Sequence, residues 1–335
     1  MIDRQCIVMV GISGSGKSTR ALELSNTIIN SSPKYDELGR ADIVDIISSD
    51  SIRGELLGDE EDQSQNVLVF NEVYKRLRYS LEHYHHVILD ATNINVKDRR
   101  SFHRTFENVH RKYISHYVKT AYVMTTAEYF AKKNNRSRGR VVPESVIDRQ
   151  IMKFEVPFYE EGFDNIVFDG WDEVNESNWD GAGEDGIKIV EERMNDFHQD
   201  TRHHKYTLDV HCKKCADEVR KRTSDEILIR AARIHDIGKI FTKKPKNDGS
   251  GDYCYYSHQN VGTYMLLQNL DIVGFKSIYD TVNLLFYVNF HMQPFFLNTD
   301  KAKEKWHRIW GEEKYNNLMM FNRCDIIATG REEKE

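Results

Sequence analysis

The run VGISGSGKST (10–19) sets Gly11, Gly16, Lys17 and Ser18 at the spacing G-x-x-x-x-G-K-S, with Gly14 and Ser15 inside the loop and Thr19 just after it. Three glycines leave the backbone bare, so successive N–H groups can surround an anion at the N-terminus of a helix. Lys17 supplies a compact positive charge for β- and γ-phosphates, and the Ser18 hydroxyl suits Mg2+. The chemistry this loop serves is that of a nucleoside triphosphate, ATP or GTP, with Mg2+. Its context agrees. The apolar run CIVMV (6–10) precedes the loop, and RALELSNTII (20–29), with helical periodicity, follows it.

Two further runs place carboxylates where such a phosphate would react. VILDATN (87–93) ends an apolar strand with Asp90, a ligand for hydrated Mg2+. SSDSIR (48–53) sets Asp50 and Arg53 after another strand, the first able to accept a hydroxyl proton and the second to fork onto an acceptor phosphate. RSRGRVVPESVIDRQ (136–150) strings Arg136, Arg138 and Arg140 ahead of a helix, as a lid that clamps a transferring phosphoryl group would.

A second group lies far downstream. RIHDIGKI (233–240) carries His235 and Asp236 at the end of an amphipathic helix, followed by Gly238 and Lys239. His211, His258, His291 and Asp325 lie on helical stretches around it. Side chains of these types converge on one or two divalent cations of the Mn, Ni, Co, Zn or Fe class, which supply Lewis acidity and activated water for phosphate-ester hydrolysis. Taken singly, each of these histidines is more often a satisfied core or surface residue than a ligand; the ordered set carries the reading. Cys212-Lys-Lys-Cys215 has no second pair and reads as two small buried hydrophobes.

Positioning these residues takes two scaffolds, and 335 residues suffice for two cores. Apolar runs CIVMV (6–10), ADIVDIIS (41–48), HVILDA (86–91), YVKTAYVM (117–124) and NIVFD (165–169) alternate with helical stretches, which predicts an α/β domain over 1–170 with a mainly parallel sheet. WDEVNESNWDGAGEDG (171–186) reads as an exposed linker, and the helix IKIVEERMNDF (187–197) completes an acidic connection over 171–200. From 201 to 335 the apolar spacing is helical, predicting an all-α domain.

Charge is unevenly spread along the chain. The net charge is −6, but ten acids against Lys188 and Arg193 crowd residues 172–200, and basic clusters stand at 97–112, 132–140 and 202–215. Local positive surfaces for a polyanion therefore remain. No apolar run reaches the ~20 residues needed to span a bilayer, and MIDRQCIVMVG lacks a secretory h-region. Five cysteines without framework spacing suit a reducing compartment, so a cytoplasmic protein with no membrane partner is expected.

The set GISGSGKS, SSDSIR, DATNINVKDRR, RSRGRVVPESVI and KFEVPFYEEGFDNI, in this order, resembles the kinase module of polynucleotide 5′-kinases of the phage and bacterial end-healing type, over about the first 170 residues. The resemblance implies a P-loop NTPase fold, Asp50 as general base on a polynucleotide 5′-OH, Arg53 on the acceptor phosphate, and Lys17 with lid arginines on the donor. Either Arg136 or Arg140 would touch the phosphoryl group. The set His211, His235-Asp236, His258, His291, Asp325 resembles the HD phosphohydrolase superfamily over roughly 200–330. That implies a core metal quartet of His211, His235, Asp236 and Asp325, with His258 and His291 serving a second metal and Lys239 steadying a phosphate.

Together the modules resemble bifunctional end-healing enzymes, which phosphorylate 5′-OH ends and remove 3′-phosphate or 2′,3′-cyclic phosphate. The expected substrate is an RNA or DNA end, with a nucleic-acid ligase as a candidate downstream partner and oligomerisation open. Three rivals stand beside this: a nucleotide-metabolism kinase joined to an HD nucleotidase, a sensor that binds NTP and metal without catalysis, and a kinase fused to a degenerate helical scaffold. The intact Lys17, Asp50 and Asp90 and the metal-type set weigh against both inactive readings, and the basic clusters favour a polynucleotide over a small acceptor.

Overall fold

Each of the five apolar runs forms a strand, and all five join one sheet. The computed structural model describes residues 4–31, 43–114, 117–137, 141–171, 182–201, 205–275 and 277–330; Arg138, Arg140 and the acidic residues 172–181 lie outside them. The chain divides into two compact units, one made of Met1–Gln150 with Glu161–Gly170, the other of Ile151–Glu160 with Trp171–Glu335.

In chain order the first unit runs β1 (Arg4–Val10), α1 (Lys17–Ser31), β2 (Val44–Ser48), α2 (Ser49–Leu57), α3 (Asn66–Glu82), β3 (His86–Asp90), α4 (Val96–Glu107), α5 (Arg111–Ile114), β4 (Tyr117–Val123), α6 (Glu128–Arg136), α7 (Glu144–Ile151) and β5 (Asn165–Phe168). The strand order is β2-β3-β1-β4-β5, with every pair parallel. Burial explains why the strands read as unbroken apolar runs. All of β3 and nearly all of β1 are buried, as parallel strands covered on both faces must be. Ile7, Met9 and Ile88 pack with Ala21 of α1 and with Met124, and Leu24 and Ile28 extend that contact.

Strand order also places the site. The chain leaves β1 for one edge of the sheet, returns through β3, and crosses to β4 on the other side of β1. Such a reversal opens a crevice beyond the carboxyl ends of the strands. The β2–β3 register sets Ser48 opposite Asp90, so the turns carrying Asp50 and Asp90 leave the sheet side by side.

The second unit is mostly helical: α8 (Ala182–Met194), α9 (Leu208–Arg220), α10 (Glu226–Ile234), α11 (Lys239–Thr242), a short hairpin of β6 (Lys244–Pro245) and β7 (Tyr253–Cys254), α12 (His258–Leu267), α13 (Leu270–Val273), α14 (Ile278–Phe290) and α15 (Asp300–Ala328). No helix among the described residues is long and apolar enough to cross a membrane.

Two boundaries differ from the expectation. Ile151–Glu160, read from the sequence as part of the kinase module, belongs to the helical unit. Phe154, Val156 and Phe158 are completely buried there. The Phe158 ring lies 4.9 Å from Phe286 and 5.7 Å from Phe290, and Phe154 lies 5.2 Å from Tyr264. Asn289 accepts from Val156 N (2.7 Å), and Asn260 and Asn289 both donate to Phe154 O, at 2.8 and 3.2 Å. A buried extended segment needs its peptide groups paired, and these two asparagines do that. The second difference is that helix α8 starts inside the run read as linker. Glu184 and Asp185 occupy its first turn, where the helix dipole favours acids. Arg233 of α10 holds α8 through Glu184 (2.7 and 2.8 Å) and Glu191 (2.6 and 2.7 Å).

Candidate active sites

The first site is a cavity of about 880 Å³ in the α/β unit, lined by Gly14, Gly16, Lys17, Ser18 and Thr19 together with Asp50, Arg53 and Asp90. The sequence-predicted donor and acceptor groups thus face one space. Gly14 and Gly16 take φ values of +78° and +91°, and a Cβ on Gly14 would lie 2.1 Å from Ala131 O. No other residue fits that turn without moving α6. Lys17 Nζ donates to Ile12 O at 2.7 Å. Gly11 and Ser15 are buried behind the loop rather than facing the cavity, and the Ser15 Oγ has no hydrogen bond.

Asp50 sits in the first turn of α2, whose N-cap Ser48 accepts from Ser51 N. Its side chain is 42% exposed and accepts from Arg53 at 2.6 Å. Arg53 is itself buried and also donates to Asn66 Oδ1 at 3.3 Å, while its Nε has no hydrogen bond. The guanidinium is thereby anchored in the cavity wall. Arg136, expected on the phosphoryl group, does not line the cavity: it is largely exposed and bonds Glu144 at 2.5 and 2.8 Å. Arg138 and Arg140 lie outside the described residues. The guanidiniums that line the cavity, among the described residues, are Arg53 and Arg149.

The second site is a buried cluster in the helical unit. His211 comes from α9, His235 and Asp236 from the end of α10, His258 from the start of α12, His291 from the end of α14, and Asp325 from α15. All six are buried. Asp236 is central. Its Oδ1 lies 3.0 Å from His258 Nε2 and 3.5 Å from His291 Nε2, and its Oδ2 lies 3.4 Å from His211 Nε2, 3.3 Å from His235 Nε2 and 2.6 Å from Lys239 Nζ. Asp325 Oδ1 approaches His211 and His235 at 3.0 and 3.5 Å. A Cβ on Gly238 would lie 1.9 Å from His258 O, so the glycine after His235-Asp236 is what lets α12 start against the cluster.

Three of the imidazoles are oriented alike by backbone carbonyls. His235, His258 and His291 each place Nδ1 against a backbone carbonyl, of Ala232, Tyr255 and Val288, at 2.7–2.9 Å. An Nδ1–H bound to a carbonyl leaves the Nε2 lone pair facing inward, the arrangement that orients metal-ligating histidines. His235 Nε2 is buried and makes no hydrogen bond, although two carboxylate oxygens lie nearby. Ligand atoms of His211, His235 and Asp236, and separately of Asp236, His258 and His291, lie within 4.8 Å of one another, so Asp236 bridges two ligand sets. A buried atom set of this composition fits one or two divalent cations.

Electrostatics point the same way. Burial opposes charge on His211, but Asp236 and Asp325 outweigh it and raise its pKa to about 9. His235 is raised well above its ordinary value against the same opposition from burial. Burial likewise opposes charge on Asp236 and Asp325, yet Lys239, His235 and His211 hold the Asp236 carboxyl, and His211 and His235 the Asp325 carboxyl, well below the usual range. His291, on the far side of Asp236, is lowered to about 4, chiefly by burial. The carboxylates draw positive charge into a dry pocket. Cys215 stands within reach of His235 and Asp325, and burial pushes its thiol up.

A family model described as "AAA domain" matches residues 6–157. The first unit is a P-loop kinase-like α/β domain. Among solved structures, a gluconokinase from Sinorhizobium meliloti 1021 is similar at 16% identity, over 50% of this chain and 83% of that one, with a TM-score of 0.30; a likeness of that size carries no argument. Comparison with curated proteins gives no match.

Several residues that shape the P-loop kinase-like unit carry no motif. Gln150 of α7 accepts from Ser13 N at 2.7 Å and donates to Ser13 Oγ at 3.1 Å, which holds the tip of the phosphate loop. Asn134 donates to Gly14 O (3.2 Å) and Thr126 to Ser15 O (2.8 Å). Arg99 and Glu161, both fully buried, pair at 2.7 and 2.9 Å, and Arg99 also donates to Asn93 O, fixing the turn after Asp90. In the helical unit Gln199 accepts from Lys239 at 2.9 Å and thereby aims the lysine at Asp236. Gln150, Arg99 and Glu161 lie inside the quoted runs RSRGRVVPESVIDRQ, DATNINVKDRR and KFEVPFYEEGFDNI, but at positions to which the motifs assign no role. The others are single polar residues whose partners lie distant in sequence.

Proposed function

We propose that this protein heals broken nucleic-acid strands, most directly RNA, by phosphorylating a 5′-OH end and hydrolysing a 3′-phosphate or 2′,3′-cyclic phosphate. A nucleic-acid ligase would act on the product. The observation that carries the reading is the buried His/Asp cluster in the same chain as the phosphate cradle, because a kinase acting alone has no need of a second site of metal-ligand type.

In the kinase step, Asp50 accepts the proton of the 5′-OH as its oxygen bonds the γ-phosphorus, and the bond to the β–γ bridging oxygen breaks to release a nucleoside diphosphate. Lys17 and the loop N–H groups balance charge on the donor, Arg53 and Arg149 serve the acceptor side, and Ser18 with Asp90 would hold Mg2+, which neutralises the phosphates when bound. In the hydrolytic step, water adds to phosphorus and the bond to the 3′ or 2′ oxygen breaks. His211, His235, Asp236 and Asp325 would hold one divalent cation, with His258 and His291 available to a second. When bound, such a cation supplies Lewis-acid polarisation of a phosphoryl oxygen and acidifies water. Lys239, kept in place by Gln199 and Asp236, is the cation nearest the cluster and would steady the phosphate.

The test uses the full chain and an RNA with a 5′-OH and a 2′,3′-cyclic phosphate, incubated with NTP–Mg2+ and with Mn2+ or Ni2+, each end being resolved. The expected product gains a 5′-phosphate and ends in a hydroxyl or an opened phosphate. Transfer to nucleosides with no reaction at RNA ends would favour nucleotide metabolism instead.

A further inference from the structure

Exposed aromatic rings stand within five residues of three of the segments that bring ligands to the His/Asp cluster. Phe241, two residues after Lys239, is 51% exposed; Tyr256, two before His258, is 74% exposed; Phe295 and Phe296, in the 3-10 turn after His291, are 40% and 63% exposed. A chain advances at most about 3.6 Å per residue, and about 2 Å in a 3-10 turn, so Tyr256 is attached within roughly 10 Å of the His258 backbone, Phe295 and Phe296 within roughly 10 Å of His291, and Phe241 within roughly 10 Å of Lys239. Of the five large aromatics that this unit exposes among its described residues, four stand here. Exposed Leu, Ile and Val are absent from these segments, Ile189 and Val210 lying on α8 and α9.

The charge beside the rings is positive. Of the four lysines in residues 239–256, Lys239, Lys243 and Lys246 pair with Asp236, Asp200 and Asp252, which leaves Lys244, whereas residues 297–308 carry Lys301, Lys303, Lys305 and Arg308 against Asp300 and Glu304. Lys244, Lys301, Lys303 and Lys305 are exposed. A protein partner would be met by aliphatic as well as aromatic side chains. Flat rings interleaved with lysines, without aliphatic neighbours, suit stacked bases and a phosphate backbone.

We infer that Phe241, Tyr256 and Phe296 form a base-stacking platform at the mouth of the cluster, which seats the terminal nucleotides of a single-stranded nucleic acid. This rests on the hydrolase reading and deepens it: the site takes a polynucleotide end, and the rings, not the cluster, select it over a small phosphate ester. Stacking adds nothing to a substrate without bases, so the platform acts on one substrate class alone.

The experiment compares full-length wild type with Phe241→Ala, Tyr256→Ala and Phe296→Ala, after equal thermal unfolding has been verified. Hydrolysis is followed with a 3′-phosphorylated single-stranded oligonucleotide and with β-glycerophosphate. Each substitution is expected to lower kcat/KM for the oligonucleotide by about tenfold, mainly through KM, and to leave β-glycerophosphate unchanged; Tyr256→Phe should retain wild-type values. Equal loss on both substrates, or no loss on the oligonucleotide, overturns the platform. Should wild type hydrolyse neither substrate, the hydrolase reading fails, and ultraviolet cross-linking of a bromouridine oligonucleotide decides the platform separately. Adducts at Tyr256 or Phe296 support it, and their absence overturns it.

Discussion

Replacing Asp50 by Asn is expected to lower phosphoryl transfer to a 5′-OH oligonucleotide by about 10²–10⁴-fold, the usual weight of a general base, while leaving nucleotide binding unchanged. The carboxylate is 42% exposed and lies in the same cavity as Lys17 and Ser18. It is not part of the glycine loop, so the cradle should survive its loss. The amide retains an oxygen to accept from Arg53, which Asp50 now holds at 2.6 Å, and so keeps that side chain in the wall. Rates measured at saturating nucleotide, with affinity measured separately, decide the role. An Asp50→Asn enzyme that transfers at the wild-type rate would remove Asp50 from the chemistry and leave it only as an anchor for Arg53.

A larger disturbance is expected at Asp236. Both of its oxygens are engaged, and it is the neighbour that Lys239, His235 and His258 share. Asp236→Ala would leave a buried lysine and several imidazoles without their counter-charge, a loss of about 3–5 kcal/mol by analogy with broken buried ion pairs. Asp236→Asn keeps the shape and one acceptor oxygen but not the charge. It should hold far less Mn2+ or Ni2+ by elemental analysis after dialysis. Its hydrolysis should fall by more than the roughly 10–100-fold typical of losing an outer-shell partner. Undiminished metal content in Asp236→Asn, or wild-type protein that takes up no transition metal, would contradict the metal reading.

The elements most legible in the sequence were those where a single physical rule governs a long run. β1 and β3 are covered on both faces, so CIVMV and HVILDA had to be continuous apolar runs, and the glycine spacing after β1 admits few structures other than a phosphate loop. The cluster was legible as a set of residue types because imidazoles and carboxylates at helix ends have few other reasons to recur in order. The convergence of His211, His235, Lys239, His258 and His291 on Asp236 was not visible, since it depends on how the helices pack. Composition misled at 182–186, where acids and glycines that suggest a linker instead start α8, the acids favouring its first turn. The alternating Phe154, Val156 and Phe158 lie inside KFEVPFYEEGFDNI, the last run of the kinase resemblance, so nothing local separated them from the first domain. Their peptide partners, Asn260 and Asn289, stand more than a hundred residues away. Arg136 was assigned by its place in the lid run, whereas Glu144, eight residues on, occupies it.

The account rests most heavily on one chain holding two independent sites, each complete within its own unit. Lys17→Ala and Asp236→Asn, assayed in parallel on one RNA bearing a 5′-OH and a 2′,3′-cyclic phosphate, test that claim most directly. The account predicts that Lys17→Ala loses only the 5′ reaction and Asp236→Asn only the 3′ reaction, because the cradle and the cluster share no residue. Loss of both reactions in either variant, with an unchanged thermal unfolding profile, would contradict it.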